Sequence, residues 1–294
     1  MPRPARAARH APRPGAIIGA GAGIIGRSGE TAMRANALKT LMKAGRPVLV
    51  GWAGLGSGYA AEVLGHGGVD GVCVDLQHGP VFLDRAVEML IALSATPAVP
   101  LARPSGNDFA EINKLLDAGA YGVIVPLIDT AEDARRLVES VRYPPRGRRS
   151  FGPARGLLYG GADYAARADE EMLAFAMIET PRGLAHLDAI AAVEGLDGLF
   201  IGPTDLSLAL GQPPAPKWRE EPLRGAIARI QAAARANGKF AGIFCTSPEM
   251  GADMLAAGFD MVVPGNDATL LRNATQAWCD AIRGETGSGP KPGY

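Results

Sequence analysis

Cysteine is scarce in this chain. Cys73, Cys245 and Cys279 stand far apart among 294 residues, with no CxxC pair and no Cys-His cluster. That spacing excludes a disulfide framework and a thiolate metal site, and it fits a reducing compartment, which we take to be the cytoplasm. Cys73 falls in an apolar run and reads as a small core residue. Net charge is also missing. Thirty basic and thirty acidic side chains cancel to a formal charge of zero, which argues against a nucleic-acid or polyanion partner. No apolar run approaches the roughly 20 residues that a membrane span needs. Of four histidines, His10, His66 and His186 fall in an N-terminal extension, at a helix end and on a helix surface. His78 is the exception.

What is present is apolar content of 47%, enough for one large domain with a well-buried core or for two small ones. The 39 glycines and 23 prolines recur at element ends and read as turn punctuation. Residues 1–32 differ from the rest. Arg3, Arg6, Arg9, Arg13 and Arg27 face a single acid, Glu30, and the apolar part is cut by Gly19, Gly21 and Gly23. This is no signal-peptide core. It reads as a disordered extension or a mis-assigned start, with Met33 as the natural beginning. Gly21-Ala22-Gly23-Ile24-Ile25-Gly26 matches the dinucleotide fingerprint, but it lacks a strand before it and a good helix after it. No acid occurs between Glu30 and Glu62. Without that context the motif does not make a nucleotide site.

From residue 37 onward short apolar runs alternate with amphipathic stretches. Strands are predicted at 47–52, 69–76, 98–102, 122–127, 173–178, 196–201, 240–244 and 260–263. Helices lie between them, and a last one covers 267–282. Residues 143–159 read as irregular, and 284–294 as a loose tail. Strands apolar on both faces and separated by helices imply a parallel sheet wrapped by helices. About eight such units favour a closed α/β TIM (β/α)8 barrel over residues 33–283, with an open doubly wound sheet as the alternative.

Polar residues then fall on a short list of strand ends: Trp52, Asp75 with His78, Arg103, Glu179 and Asp205. In such a barrel this rim carries the chemistry. Glu179 and Asp205, on successive strands, suit a divalent cation held by oxygen. Arg103 offers a planar cationic fork for a carboxylate or enolate oxygen. His78 suits proton transfer, and Asp75 could orient it. After its strand, Gly202-Pro203-Thr204-Asp205 starts a helix whose free amides suit an anion. Plainer readings stand beside these: Thr204 and Asp205 as caps only, Glu179 in an ion pair, His78 as a turn residue.

Together these stretches resemble a known family. Val74-Asp75-Leu76-Gln77-His78-Gly79-Pro80, Ala102-Arg103-Pro104, Leu116-Asp117-Ala118-Gly119-Ala120 with Val123-Ile124-Val125-Pro126, Ile178-Glu179-Thr180 and Phe200-Ile201-Gly202-Pro203-Thr204-Asp205-Leu206-Ser207 follow the order and spacing of the HpcH/HpaI aldolase/citrate lyase family. The resemblance covers residues 33–282. It implies a metal-dependent pyruvate aldolase on a TIM barrel, with its last helix exchanged between subunits of a dimer or hexamer. It implies Glu179 and Asp205 as ligands of Mg²⁺, Mn²⁺ or Co²⁺, and pyruvate chelating that metal. It implies a carboxylate site at Gly202, Pro203, Thr204 and Asp205, beside Trp52. It also implies that Arg103 stabilises the oxygen of a metal-bound enolpyruvate, and that His78, supported by Asp75, moves protons. The substrates implied are a 4-hydroxy-2-oxo acid and its aldehyde product, in aromatic-compound or sugar-acid catabolism. One departure stands out. Met177 occupies a position, two before Glu179, that is glutamine in many sugar-acid members. Two further readings remain open: a lyase of CoA thioesters, drawing on the arginines at 146, 148, 149 and 155, and a weakly active protein that binds pyruvate or oxalate.

Overall fold

The computed structural model describes residues 32–285. The fingerprint-like glycines and most of both predicted terminal segments, 1–32 and 284–294, lie outside the described residues.

Eight strands form one closed parallel barrel in sequence order: β1 (Val48–Ala53), β2 (Gly71–Asp75), β3 (Val99–Arg103), β4 (Gly122–Val125), β5 (Leu173–Met177), β6 (Gly198–Ile201), β7 (Phe240–Phe244) and β8 (Met261–Val263). Pairing of β8 with β1 closes the ring. The described helices are α1 (Ala37–Lys43), α2 (Gly58–Gly65), α3 (Leu83–Leu93), α4 (Phe109–Asp117), α5 (Ala131–Val141), α6 (Ala154–Gly160), α7 (Tyr164–Glu171), α8 (Pro181–Ala185), α9 (Leu187–Ala191), α10 (Pro203–Ala209), α11 (Leu223–Ala236), α12 (Pro248–Ala256) and α13 (Asp267–Arg283). The predicted strands all form, and the closed barrel replaces the open-sheet alternative.

The strands are short and apolar because both faces are covered, and every residue of β2, β3, β4, β5 and β6 is buried. Glycine inside these strands answers a bulky neighbour. Gly198 pairs with Phe175, and a Cβ there would lie 2.2 Å from the phenyl ring. Gly242 pairs with Phe200, and a Cβ there would lie 2.6 Å from it. The barrel interior thus alternates ring against no side chain, which is how a closed sheet is filled without strain.

Helix starts follow the expected chemistry at Ser57, Asp108, Thr130, Thr180, Ser247 and Asn266, each of whose side chains accepts a first-turn N–H. At the opposite end of the barrel, aspartates just ahead of β2, β6 and β8 pin the backbone of the preceding strand. Asp70 accepts from Leu49 (2.8 Å), Asp197 from Ala174 (2.9 Å) and Asp260 from Ala241 (2.8 Å). Acids at this N-terminal face therefore hold the sheet together.

Two expectations need correction. The stretch 143–159 contains a helix, α6, that reading glycine as punctuation concealed. Gly156 and Gly160 lie four apart and face the Tyr164 ring, where a Cβ would come within 3.2 Å and 2.6 Å. They are close-contact positions on a helix face rather than turns. The single helix expected between β5 and β6 breaks at His186, which ends α8 and starts α9; its ring nitrogen lies 2.9 Å from the Asp129 carbonyl.

Candidate active site

The C-terminal strand ends surround a cavity of about 560 Å³. It is lined by Trp52 from β1, His78 from the loop after β2, Arg103 from β3, Met177 and Glu179 at the end of β5, Phe200 from β6, and Gly202 to Asp205 at the start of α10. Pro214 and Phe244 complete the wall. Every rim residue expected from the sequence is in that lining except Asp75, which lies fully buried behind it.

Asp75 meets both Arg103 and the backbone of the loop that carries His78. Its Oδ1 accepts from Arg103 Nε at 2.8 Å and its Oδ2 from Arg103 Nη2 at 2.6 Å, a bidentate grip across the paired strands β2 and β3. The same Oδ1 accepts from the backbone N–H of Gln77 at 3.0 Å and of His78 at 3.4 Å. Asp75 thus orients the histidine loop by its backbone and the arginine by its side chain. Burial alone would raise the Asp75 pKa. The Arg103 hydrogen bonds and charge outweigh it, and the carboxyl sits below its ordinary value. The indole N–H of Trp52 faces the same carboxylate and favours its charge without completing a hydrogen bond. The Arg103 guanidinium lies 4.8 Å from the Trp52 ring centroid, so a cation–π contact joins the lock.

Glu179 carries the opposite perturbation. It is 3% exposed, and burial pushes its carboxyl up to about 7; the N–H of Leu127 and the charge of Arg103 pull it down, while Asp205 and Asp129 add like-charge repulsion. Its two oxygens have different surroundings. Oε1 accepts from Leu127 N–H at 3.0 Å, whereas Oε2 faces Gly202, where a Cβ would come within 2.3 Å. Leu127 adopts φ +56°, the left-handed region, and it is the one described non-glycine residue that does so.

The start of α10 corrects the reading of Thr204 as its cap. Pro203 presets a helical φ and takes the first position, so Gly202 becomes the N-cap and contributes no side chain. The first helical bond runs from Leu206 N–H to the Gly202 carbonyl at 2.9 Å. The amides of Thr204 and Asp205 precede it at the cavity wall, and Asp205 is exposed.

Among the described residues no group of three or more His, Cys, Asp or Glu side chains is arranged to hold a metal. Two carboxylates nonetheless fit a hard cation that keeps water and substrate oxygens in its other positions. The missing Cβ at Gly202 lets Glu179 Oε2 lie against the start of α10, where a Cβ would come within 2.3 Å of it. A larger cavity of about 790 Å³ opens at the N-terminal face, with Lys39, Arg142 and Asp197 in its wall. Asp197 there binds Lys39 at 2.7 Å and Arg142 at 2.5 Å.

Leu127, Phe200, Phe244 and Pro214 were not singled out from the sequence. The first acts through its backbone, which no residue identity announces. The others read only as strand-core or loop residues.

A closed βα barrel with paired carboxylates, an arginine and a histidine at its C-terminal rim defines a lyase-type site. The chain belongs to the HpcH/HpaI aldolase/citrate lyase family, whose model matches residues 49–274. It is 43% identical over 241 residues to a hydroxypyruvate/pyruvate aldolase of Rhizorhabdus wittichii, covering 82% of this chain and 96% of that one. It is 36% identical over 261 residues to a 4-hydroxy-2-oxo-heptane-1,7-dioate aldolase of Escherichia coli, covering 88% and 98%. A solved HpcH/HpaI aldolase/citrate lyase family protein from Burkholderia cenocepacia superposes with a TM-score of 0.78 at 30% identity, over 84% of this chain and 99% of that one.

Proposed function

We propose that this protein is a divalent-metal-dependent aldolase that cleaves a 4-hydroxy-2-oxo acid to pyruvate and an aldehyde. The observation that carries the reading is the pair Glu179 and Asp205, carboxylates at the ends of neighbouring strands that open on one cavity with Arg103 and His78. Glu179 and Asp205 would hold Mg²⁺, Mn²⁺ or Co²⁺. When bound, the cation supplies a Lewis acid for the negative charge that develops on the substrate's keto oxygen.

The chain's own groups do the rest. Arg103, aimed by Asp75, adds a fixed positive charge for that oxygen. The amides of Thr204 and Asp205 receive the substrate carboxylate, and Gly202 and Pro203 leave the approach clear. Trp52 forms the wall against which the three-carbon unit packs. His78 accepts the proton of the C4 hydroxyl as the C3–C4 bond breaks. The electron pair of that bond passes to the pyruvate enolate, and a proton delivered to C3 completes pyruvate. No lysine lies among the described residues lining the cavity, so an imine on this wall has no candidate.

The relatives named as pyruvate aldolases at 43% and 36% identity support this reaction class. Of the four arginines the CoA-thioester reading draws on, Arg146 and Arg148 are exposed, whereas Arg149 is buried against Asp117 and Tyr164 and Arg155 holds the Ala118 and Leu90 carbonyls. On α13 the exposed Leu271, Trp278 and Ile282 support assembly with further copies, including exchange of this helix. Three free cysteines suit a cytoplasmic setting.

The test is pyruvate release from a panel of 4-hydroxy-2-oxo acids by purified protein, beside Glu179→Gln and Asp205→Asn. Loss of about 10²-fold or more in both variants is expected. Undiminished activity in either would remove that residue from the metal site, and no turnover by the parent would favour the binding-only reading.

A further inference from the structure

The cavity lining carries both polar and apolar groups. In the aldolase reading Glu179, Asp205, Arg103, His78 and the α10 amides engage the oxo-acid unit. The rest of the lining is Met177, Phe200, Phe244, Pro203 and Pro214, with the Trp52 ring stacked on Phe200 at 5.9 Å and edge-on to Phe244 at 5.7 Å. Met177 is 2% exposed, and its methyl lies 3.2 Å from the position a Cβ would take at Gly202, as Glu179 Oε2 does at 2.3 Å.

We infer that the aldehyde half of the substrate is uncharged and apolar, an alkyl or aryl group rather than a carboxylated chain. The inference rests on the aldolase reading and adds the chemistry of the far end. Among the described residues lining the cavity the only basic side chains are Arg103 and His78. Arg103 places Nε and Nη2 on Asp75, and His78 belongs to proton transfer. A second carboxylate would leave water for aromatic rings and a thioether with no guanidinium or ammonium to receive it. An apolar tail would be desolvated favourably on the same wall. Beyond Phe244, which borders both, lies a second cavity of about 610 Å³ lined by Trp218, Pro248, Pro264 and Leu270, so a longer tail meets more apolar surface. Its one ammonium, Lys217, is paired with Glu220 at 3.2 Å near the protein surface.

Two seven-carbon substrates that differ only at the far end decide the matter. 4-Hydroxy-2-oxoheptanoate ends in a methyl group and 4-hydroxy-2-oxoheptanedioate in a carboxylate. With the full chain and saturating Mn²⁺, kcat/KM for the monoacid is expected to exceed that for the diacid by about tenfold or more, the effect of burying an uncompensated charge. Phe244→Arg is expected to narrow or reverse the gap. An equal or higher kcat/KM for the diacid with the parent protein overturns the inference. Exchange of the pyruvate methyl protons with deuterated water, which needs no aldehyde, separates the two failures. Exchange with a diacid preference overturns only the inference, whereas neither exchange nor cleavage overturns the aldolase reading and this inference with it.

Discussion

The backbone N–H of Leu127 donates to Glu179 Oε1 at 3.0 Å, from a residue held at φ +56°. Leucine in the left-handed region costs about 1 kcal/mol or more, and neighbours must maintain it. They do so from both sides: Ile128 N–H bonds the Met177 carbonyl at 3.2 Å, and Asp129 accepts from the Thr180 hydroxyl. The loop after β4 is thereby clamped over the end of β5, with one glutamate oxygen fixed and the other turned toward Gly202.

Conformation, rather than the leucine side chain, is what this clamp requires. Leu127→Gly relaxes the backbone and keeps the N–H, so metal affinity should hold. Leu127→Ile opposes the left-handed backbone by about 1–2 kcal/mol and should weaken metal binding by about tenfold. Calorimetric titration with Mn²⁺ compares them, and equal affinities in both variants would detach the loop from the site.

Gly202→Ala tests the space beside the same glutamate. The added Cβ would lie 2.3 Å from Oε2 and 3.2 Å from the Met177 methyl. Its φ of −94° is open to alanine, so the fold should survive while Glu179 is displaced. We expect a loss of metal affinity of about tenfold or more, larger than the loss of thermal stability would imply. A variant that melts and binds Mn²⁺ as the parent does would contradict the assignment of that oxygen.

The elevated Glu179 carboxyl makes a signed prediction for the metal-free protein. Its folded value of about 7 stands above the ordinary 4.5. A raised acid favours the folded state below the unfolded pKa, and that advantage disappears as pH rises through the folded one. Metal-free protein should lose about 3 kcal/mol of stability between pH 4.5 and pH 7 from this group. Metal must displace the proton, so Mn²⁺ affinity should fall about tenfold per pH unit below 7 and level off above it. Denaturant melts and titrations at several pH values read both; a flat affinity across pH 5.5–7.5 would contradict it.

Asp75→Asn leaves the Arg103 guanidinium, 6% exposed, without its anionic partner. Breaking such a buried pair costs about 3–5 kcal/mol, and the arginine also loses its aim. A fall in kcat of about 10²-fold with a lower melting point is expected. Restored activity in the double variant Asp75→Asn, Arg103→Lys would argue against orientation as the role of Asp75.

Much of this was legible in the chain itself, for stated reasons. His78, Arg103, Glu179 and Asp205, which line one cavity, stood out because charge at the end of an apolar strand has no use in a core. The barrel followed from strands apolar on both faces. The helix α6 was missed because Gly156 and Gly160 look like turns until Tyr164 is seen against them. The Asp75–Arg103 lock was missed because it joins residues 28 apart in sequence, and strand register alone makes them neighbours. The Thr204 cap failed because Pro203 started the helix first.

The central claim is that cleavage depends on a cation held by Glu179 and Asp205. The most direct measurement is pyruvate release after exhaustive chelation, then after return of Mg²⁺, Mn²⁺ or Co²⁺, with borohydride plus substrate as a parallel treatment. Activity should vanish on chelation, return with metal and withstand borohydride. Full activity without metal, or inactivation by borohydride through a trapped lysine imine, would contradict it.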